Sequence, residues 1–69
     1  PETPVIEQSG EILTSDATSG NQWYDSNGEI VGATGQSYTP TATDSYYVIV
    51  TSEYSCESEM SNELYFIYT

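Results

Sequence analysis

The chain has 69 residues, with no Lys, Arg or His and eleven carboxylates, for a formal net charge of −11. That balance excludes a nucleic-acid partner, because phosphate binding needs cationic side chains, and it disfavours an anionic membrane surface. The absence of His and a single Cys remove the usual zinc sites.

Residues 4–8 form a short apolar opening and a first strand or entry segment. Ser9-Gly10 is a turn signal. Residues 11–15, with Ile12 and Leu13, read as the second strand, and residues 16–20 as a small polar loop. The third strand spans residues 21–25 and carries Trp23. Asn27-Gly28 is a hairpin signal of the kind whose two turn positions both need φ > 0. Residues 29–31 return as a short fourth strand. Glycines at 32 and 35 let the chain turn sharply, residues 36–39 form a fifth strand, and Pro40 ends it. Residues 46–51, Tyr-Tyr-Val-Ile-Val-Thr, have the strongest strand composition in the sequence. Residues 53–58 are read as a loop and residues 63–69 as the last strand.

Short strands and turns at regular spacing predict an all-β protein. One Trp on an early strand, followed by Tyr-x-apolar-x-apolar on a later one, predicts a small immunoglobulin-like β-sandwich. Two antiparallel sheets with six to seven short strands in all are expected. Such sandwiches usually take about 100 residues, so loops here must be short. The longest apolar runs fall far below the roughly 20 residues of a membrane-spanning helix, and no membrane insertion is expected. The chain opens on Pro1 without a Met start, a basic n-region or an apolar h-region. The expectation is one domain over residues 1–69, a monomeric fragment of a longer protein.

Strand alternation assigns the faces. Leu13, Trp23, Ile30, Tyr38, Tyr46, Val48 and Val50 are expected inside. In the last strand the pair Leu64 and Phe66 is preferred over Tyr65 and Ile67. Tyr46 has tyrosine-corner spacing, two residues before the position of the second Cys in antibody domains, here Val48. Its hydroxyl is expected to satisfy a backbone group.

The connected run Gln22-Trp23-Tyr24, Gly28, Ile30, Gly32-Ala33-Thr34, Tyr38-Thr39-Pro40 and Tyr46-Tyr47-Val48-Ile49-Val50-Thr51 resembles the immunoglobulin-like repeats of secreted and surface proteins of Bacteroidetes. Cys56 and Ser61-Asn62 match the tail of that pattern. Ser45 and Ser55 stand where the family usually has Gly, which puts the turn before the strand in question and points to a different hairpin near Cys56. The resemblance implies a secreted or cell-surface location. It also implies a non-catalytic accessory domain of an adhesin or of a polysaccharide-degrading enzyme such as a glycoside hydrolase.

Functional chemistry is sparse. Asp25-Ser26-Asn27-Gly28-Glu29-Ile30 resembles the middle of a calcium loop, but the bidentate Glu about six residues past the Gly is missing. An Asn-Gly hairpin explains the same residues. No His or Lys is present to activate a nucleophile, so no enzyme activity, catalytic residue, cofactor or metal is expected. The lone Cys56 can form no disulfide within the chain. The outward residues Tyr24, Tyr47 and Ile49 form the one candidate binding patch. Cross-strand pairing accounts for them at about 0.2–1 kcal/mol per pair; contact with a neighbouring domain or stacking on a polysaccharide is the sharper alternative. With no cations, folding should raise carboxylate pKa values on average, which predicts a higher Tm near pH 5 than near pH 8.

Overall fold

A computed structural model describes residues 2–68. Seven strands run in chain order: β1 (Ile6–Ser9), β2 (Ile12–Ser15), β3 (Asn21–Asp25), β4 (Gly28–Glu29), β5 (Ser37–Tyr38), β6 (Asp44–Val50) and β7 (Leu64–Phe66). They form a three-stranded sheet, β1-β2-β5, and a four-stranded sheet, β4-β3-β6-β7. Every pairing is antiparallel. The protein is a small all-β sandwich of two antiparallel sheets. Its fourth strand lies beside the third, at the edge of the four-stranded sheet.

The two inner faces meet in a core of Ile6, Leu13, Trp23, Tyr46, Val48 and Phe66. Trp23 sits opposite Val48 across the β3–β6 ladder, and Leu13, Trp23 and Val48 are fully buried. Val50 is buried near the end of β6. Ile30 and Tyr38, expected inside, are only half-buried and pack against the edge of the core. The cause is strand length: β4 stops at Glu29, so Ile30 belongs to the crossover and not to a paired strand. Tyr38 compensates by stacking on Trp23 at 5.9 Å between ring centroids and leaning on Tyr46 at 5.8 Å. Tyr46 meets Phe66 edge-on. On β7, Leu64 and Phe66 point inward while Tyr65 is exposed.

The crossover after β4 wraps the indole. Trp23 donates its backbone N–H to the Ala33 carbonyl at 2.9 Å and its ring Nε1–H to the Gly35 carbonyl at 2.8 Å. The Gln22 amide reaches the Ile30 carbonyl at 2.7 Å. The Gly-Ala-Thr run is therefore a lid over Trp23, and it satisfies the one polar atom that a buried indole carries. The Tyr46 hydroxyl donates to the Ala42 carbonyl at 2.6 Å, which makes it a tyrosine corner.

Turn chemistry departs from expectation at three places. β3 and β4 pair through Asp25 and Gly28, so Ser26 and Asn27 occupy the turn. Only Gly28, at φ 114°, is left-handed; both turn residues keep negative φ, which rules out the expected hairpin type. Asp25 Oδ1 accepts the Asn27 N–H at 2.8 Å and sets this geometry. Ser45 lies within β6 and needs no glycine. Ser55 takes φ 64°, the one left-handed non-glycine among the described residues. The turn before Cys56 thus keeps the conformation a glycine would give it, and no different hairpin is needed.

Beyond Tyr46, β7 no longer borders β6, and two serines take over. Ser61 donates its N–H to the Val48 carbonyl and accepts the Val48 N–H on Oγ, both at 2.9 Å. Ser58 does the same for Val50, at 2.8 and 2.9 Å. Each hydroxyl replaces a ladder carbonyl, so this stretch of β6 keeps its bonds on the side away from β3 without a strand there. Asn62 then ties the two sheets together: its amide accepts the Ile6 N–H at 2.9 Å and donates to the Ile6 carbonyl at 3.1 Å.

The chain enters and leaves at opposite poles. Pro4 lies beside Ala17 and Val50, at the pole where β3 begins and β6 ends. β7 runs the other way along β6, and the Tyr68 N–H ends on the Thr43 hydroxyl at 2.8 Å, just before β6 starts. The body measures 38 × 22 × 18 Å. Four strands spaced about 4.8 Å apart and sheets about 10 Å apart cannot fill the longest dimension, so the long axis follows the strands.

Candidate functional site

Cross-strand register gathers the outward side chains of the four-stranded sheet into one surface. Tyr24 stands opposite Tyr47, and Gln22 opposite Ile49. Glu29 pairs with Tyr24 from β4, and Tyr65 pairs with Ser45 from β7. An isolated bridge sets Glu57 opposite Thr51 at the entry pole. Because alternate residues share a face, all of these lie on the same side of the sheet.

Tyr24 and Tyr47 stack with ring centroids 5.0 Å apart and planes only 2° from parallel. Each ring therefore spends one face on the other. Both rings and Ile49 are half-buried, as the cross-strand account of this patch requires. Tyr65, at 65% exposure, and Ile67, at 64%, are far more open. Alternation within β7 turns Tyr65 outward but does not by itself bring it to the patch. The missing signal was the β6–β7 register, which sets Tyr65 beside Ser45.

Electrostatics follow from the same neighbours. Burial, then the carboxylates of Glu29 and Glu57, hold the Tyr24 phenol above its ordinary pKa. Burial also raises Tyr46, with Tyr38, Asp44 and Asp25 adding to it. Asp44 moves the other way. The Ser45 N–H at 2.7 Å and the Ser26 hydroxyl at 2.9 Å hold its carboxylate below the ordinary value. The shift at Asp44 is opposite to the one expected of crowded carboxylates: hydrogen bonding to the charged form outweighs desolvation there.

The signs give a pH profile. Asp44 is depressed in the native state, so its contribution is present above its ordinary pKa of 3.8 and is lost as pH falls through the lowered value. Tyr24 and Tyr46 are raised, so the native state binds more protons than the unfolded one above pH 10.0, and stability falls from there upward. Added NaCl should raise Tm at pH 8 by screening the carboxylates from one another. Tm read by circular dichroism across pH and salt checks all three limbs. An unchanged Tm on adding salt would remove self-repulsion from the account.

Other features are shallow. An open groove of about 290 Å³ runs along Val5, Glu7, Thr14, Ser15 and Asp16 on the three-stranded sheet. Cys56 is exposed. Among the described residues no three Cys, Asp or Glu side chains converge as metal ligands; Asp25 is engaged in its turn and Asp44 with Ser26 and Ser45. No described helix is long and apolar enough to cross a membrane. No family model matches the chain, and neither a curated protein nor a solved structure matches it.

Proposed function

We propose that this domain is a non-catalytic spacer module of a longer secreted or surface-displayed protein. The resemblance of its Trp23-to-Thr51 run to Bacteroidetes immunoglobulin-like repeats supports an adhesin or a polysaccharide-degrading enzyme as the setting. The observation that carries the reading is the in-line path of the chain: entry beside Val50 and exit beside Thr43, at opposite ends of a body 38 Å long. A module threaded this way adds length between its neighbours and leaves its sheet faces free. Catalysis has no part in it: a chain without His or Lys lacks the usual base for a hydroxyl or thiol nucleophile, and glycosyl transfer would need two carboxylates held at a fixed separation across a cleft.

The second reading, a carbohydrate- or protein-binding module, is favoured by the aromatic face of the four-stranded sheet. Its sugar-binding form is weakened by the Tyr24–Tyr47 stack, because a sugar platform needs ring faces that are open. NMR titration with β-glucan and xylan oligosaccharides separates the two. The spacer reading expects no saturable shift. Saturable shifts confined to Tyr24, Tyr47 and Ile49 would replace it with a sugar-binding module.

A further inference from the structure

We propose that the outer face of the four-stranded sheet docks an extended, cationic protein segment, with Arg or Lys side chains laid over the tyrosines and paired with Glu29 and Glu57. The proposal goes beyond the spacer role and stands whether or not that role holds. It rests on the composition of one surface. Tyr24, Tyr47 and Ile49 form a half-buried apolar strip. Tyr65 adds an exposed ring on the β7 side. Glu29 flanks the strip on the β4 side, and Glu57 flanks it at the entry pole.

Charge decides the class of occupant. The chain has no cationic side chain to meet an acidic partner, and its eleven carboxylates repel a second copy of itself. Neither Glu29 nor Glu57 can be neutralised from within. A tyrosine face attracts a guanidinium or ammonium group within about 6 Å of the ring centre, and a carboxylate beside the ring adds a charge-assisted hydrogen bond. Rings and carboxylates on one sheet face therefore suit a basic segment better than a neutral glycan, whose hydroxyls can hydrogen-bond the glutamates but cannot neutralise them. A guanidinium is thin and needs only one open ring face. Tyr65, which lies outside the Tyr24–Tyr47 stack, offers one. An extended segment also fits the surface, because side chains along β6 repeat every second residue, as do those of a strand laid against it.

The test is NMR titration of the domain with a short peptide alternating arginine and glycine. Its citrulline counterpart, isosteric but neutral, and xylan oligosaccharides are the comparison arms. Saturable shifts at Tyr24, Glu29, Tyr47, Ile49, Glu57 and Tyr65 are expected with the arginine peptide. Binding should fall on the order of tenfold with citrulline, which corresponds to about 1.4 kcal/mol. Tyr65→Thr, at an exposed site, should weaken the arginine peptide several-fold without changing net charge, and the double variant Glu29→Gln, Glu57→Gln should weaken it further. Glu7→Gln on the opposite sheet should change it little. Shifts spread equally over Glu7 and Glu11, with Tyr65→Thr silent, would reduce the effect to diffuse attraction and overturn the proposal. Equal binding of the citrulline peptide, silence with arginine, or a response to sugar alone would also overturn it. A response to sugar alone would reject the spacer reading as well, while silence with both ligands would leave that reading standing.

Discussion

Trp23→Ala is expected to cost about 3–5 kcal/mol, out of the roughly 3–10 kcal/mol available to a domain of this length. The indole is fully buried between the two sheets, opposite Val48 and stacked on Tyr38. Its removal opens a void that the short strands around it cannot close. It also releases the lid, because the Gly35 carbonyl loses its donor. Trp23→Phe keeps a ring in the core but loses that hydrogen bond, so it should fall between wild type and Ala. Urea unfolding followed by far-ultraviolet circular dichroism measures both. A Trp23→Ala variant melting within a few degrees of wild type would mean that the core is centred elsewhere.

Gly20→Ala should be nearly as damaging, although it adds only a methyl group. Gly20 has φ 79°, a conformation that costs an L-residue about 1–2 kcal/mol. A Cβ there would also overlap the Thr51 carbonyl oxygen, which is backbone and cannot swing aside. Relief means moving the loop and losing the Thr51 N–H bond to the Gly20 carbonyl, now 2.9 Å, for about 1 kcal/mol more. The total expected loss is about 2–3 kcal/mol. Gly10→Ala is the control, with φ 61° and nothing within 4 Å of the added carbon. It should cost only the conformational part. Equal losses at the two glycines would show that the Thr51 contact is not restrictive.

Much of the fold is legible in the sequence because it is written locally. Strand alternation in Tyr46 to Val50 depends on residues close in the chain, and so does the tyrosine corner, which joins Tyr46 to Ala42 just before the strand. The short strands are less legible. Ile30 looks like a strand residue by composition, yet it lies past the end of β4, where its N–H donates to the Trp23 carbonyl and its own carbonyl accepts from the Gln22 amide. The Asn27-Gly28 pair signals a hairpin correctly but hides its register, because Asp25 two residues upstream captures the Asn27 N–H.

Least legible are the long-range ties. Ser58 reads as a loop residue and Ser61 falls in no predicted strand, and only their position against Val50 and Val48 turns them into ladder partners. The Asn62 clasp on Ile6 joins residues 56 apart in sequence, and no local pattern announces it. The candidate surface divides the same way. Tyr24, Tyr47 and Ile49 follow from alternation within strands. Tyr65, Glu29 and Glu57 join them only through register between strands, a property of the folded sheet.

Small-angle X-ray scattering from two copies of the domain joined head to tail through their own termini tests the in-line spacer directly. An in-line spacer gives a maximum dimension close to twice the 38 Å long axis of one copy, unchanged by oligosaccharide. A particle little longer than one copy, with the two sandwiches lying side by side, would contradict it.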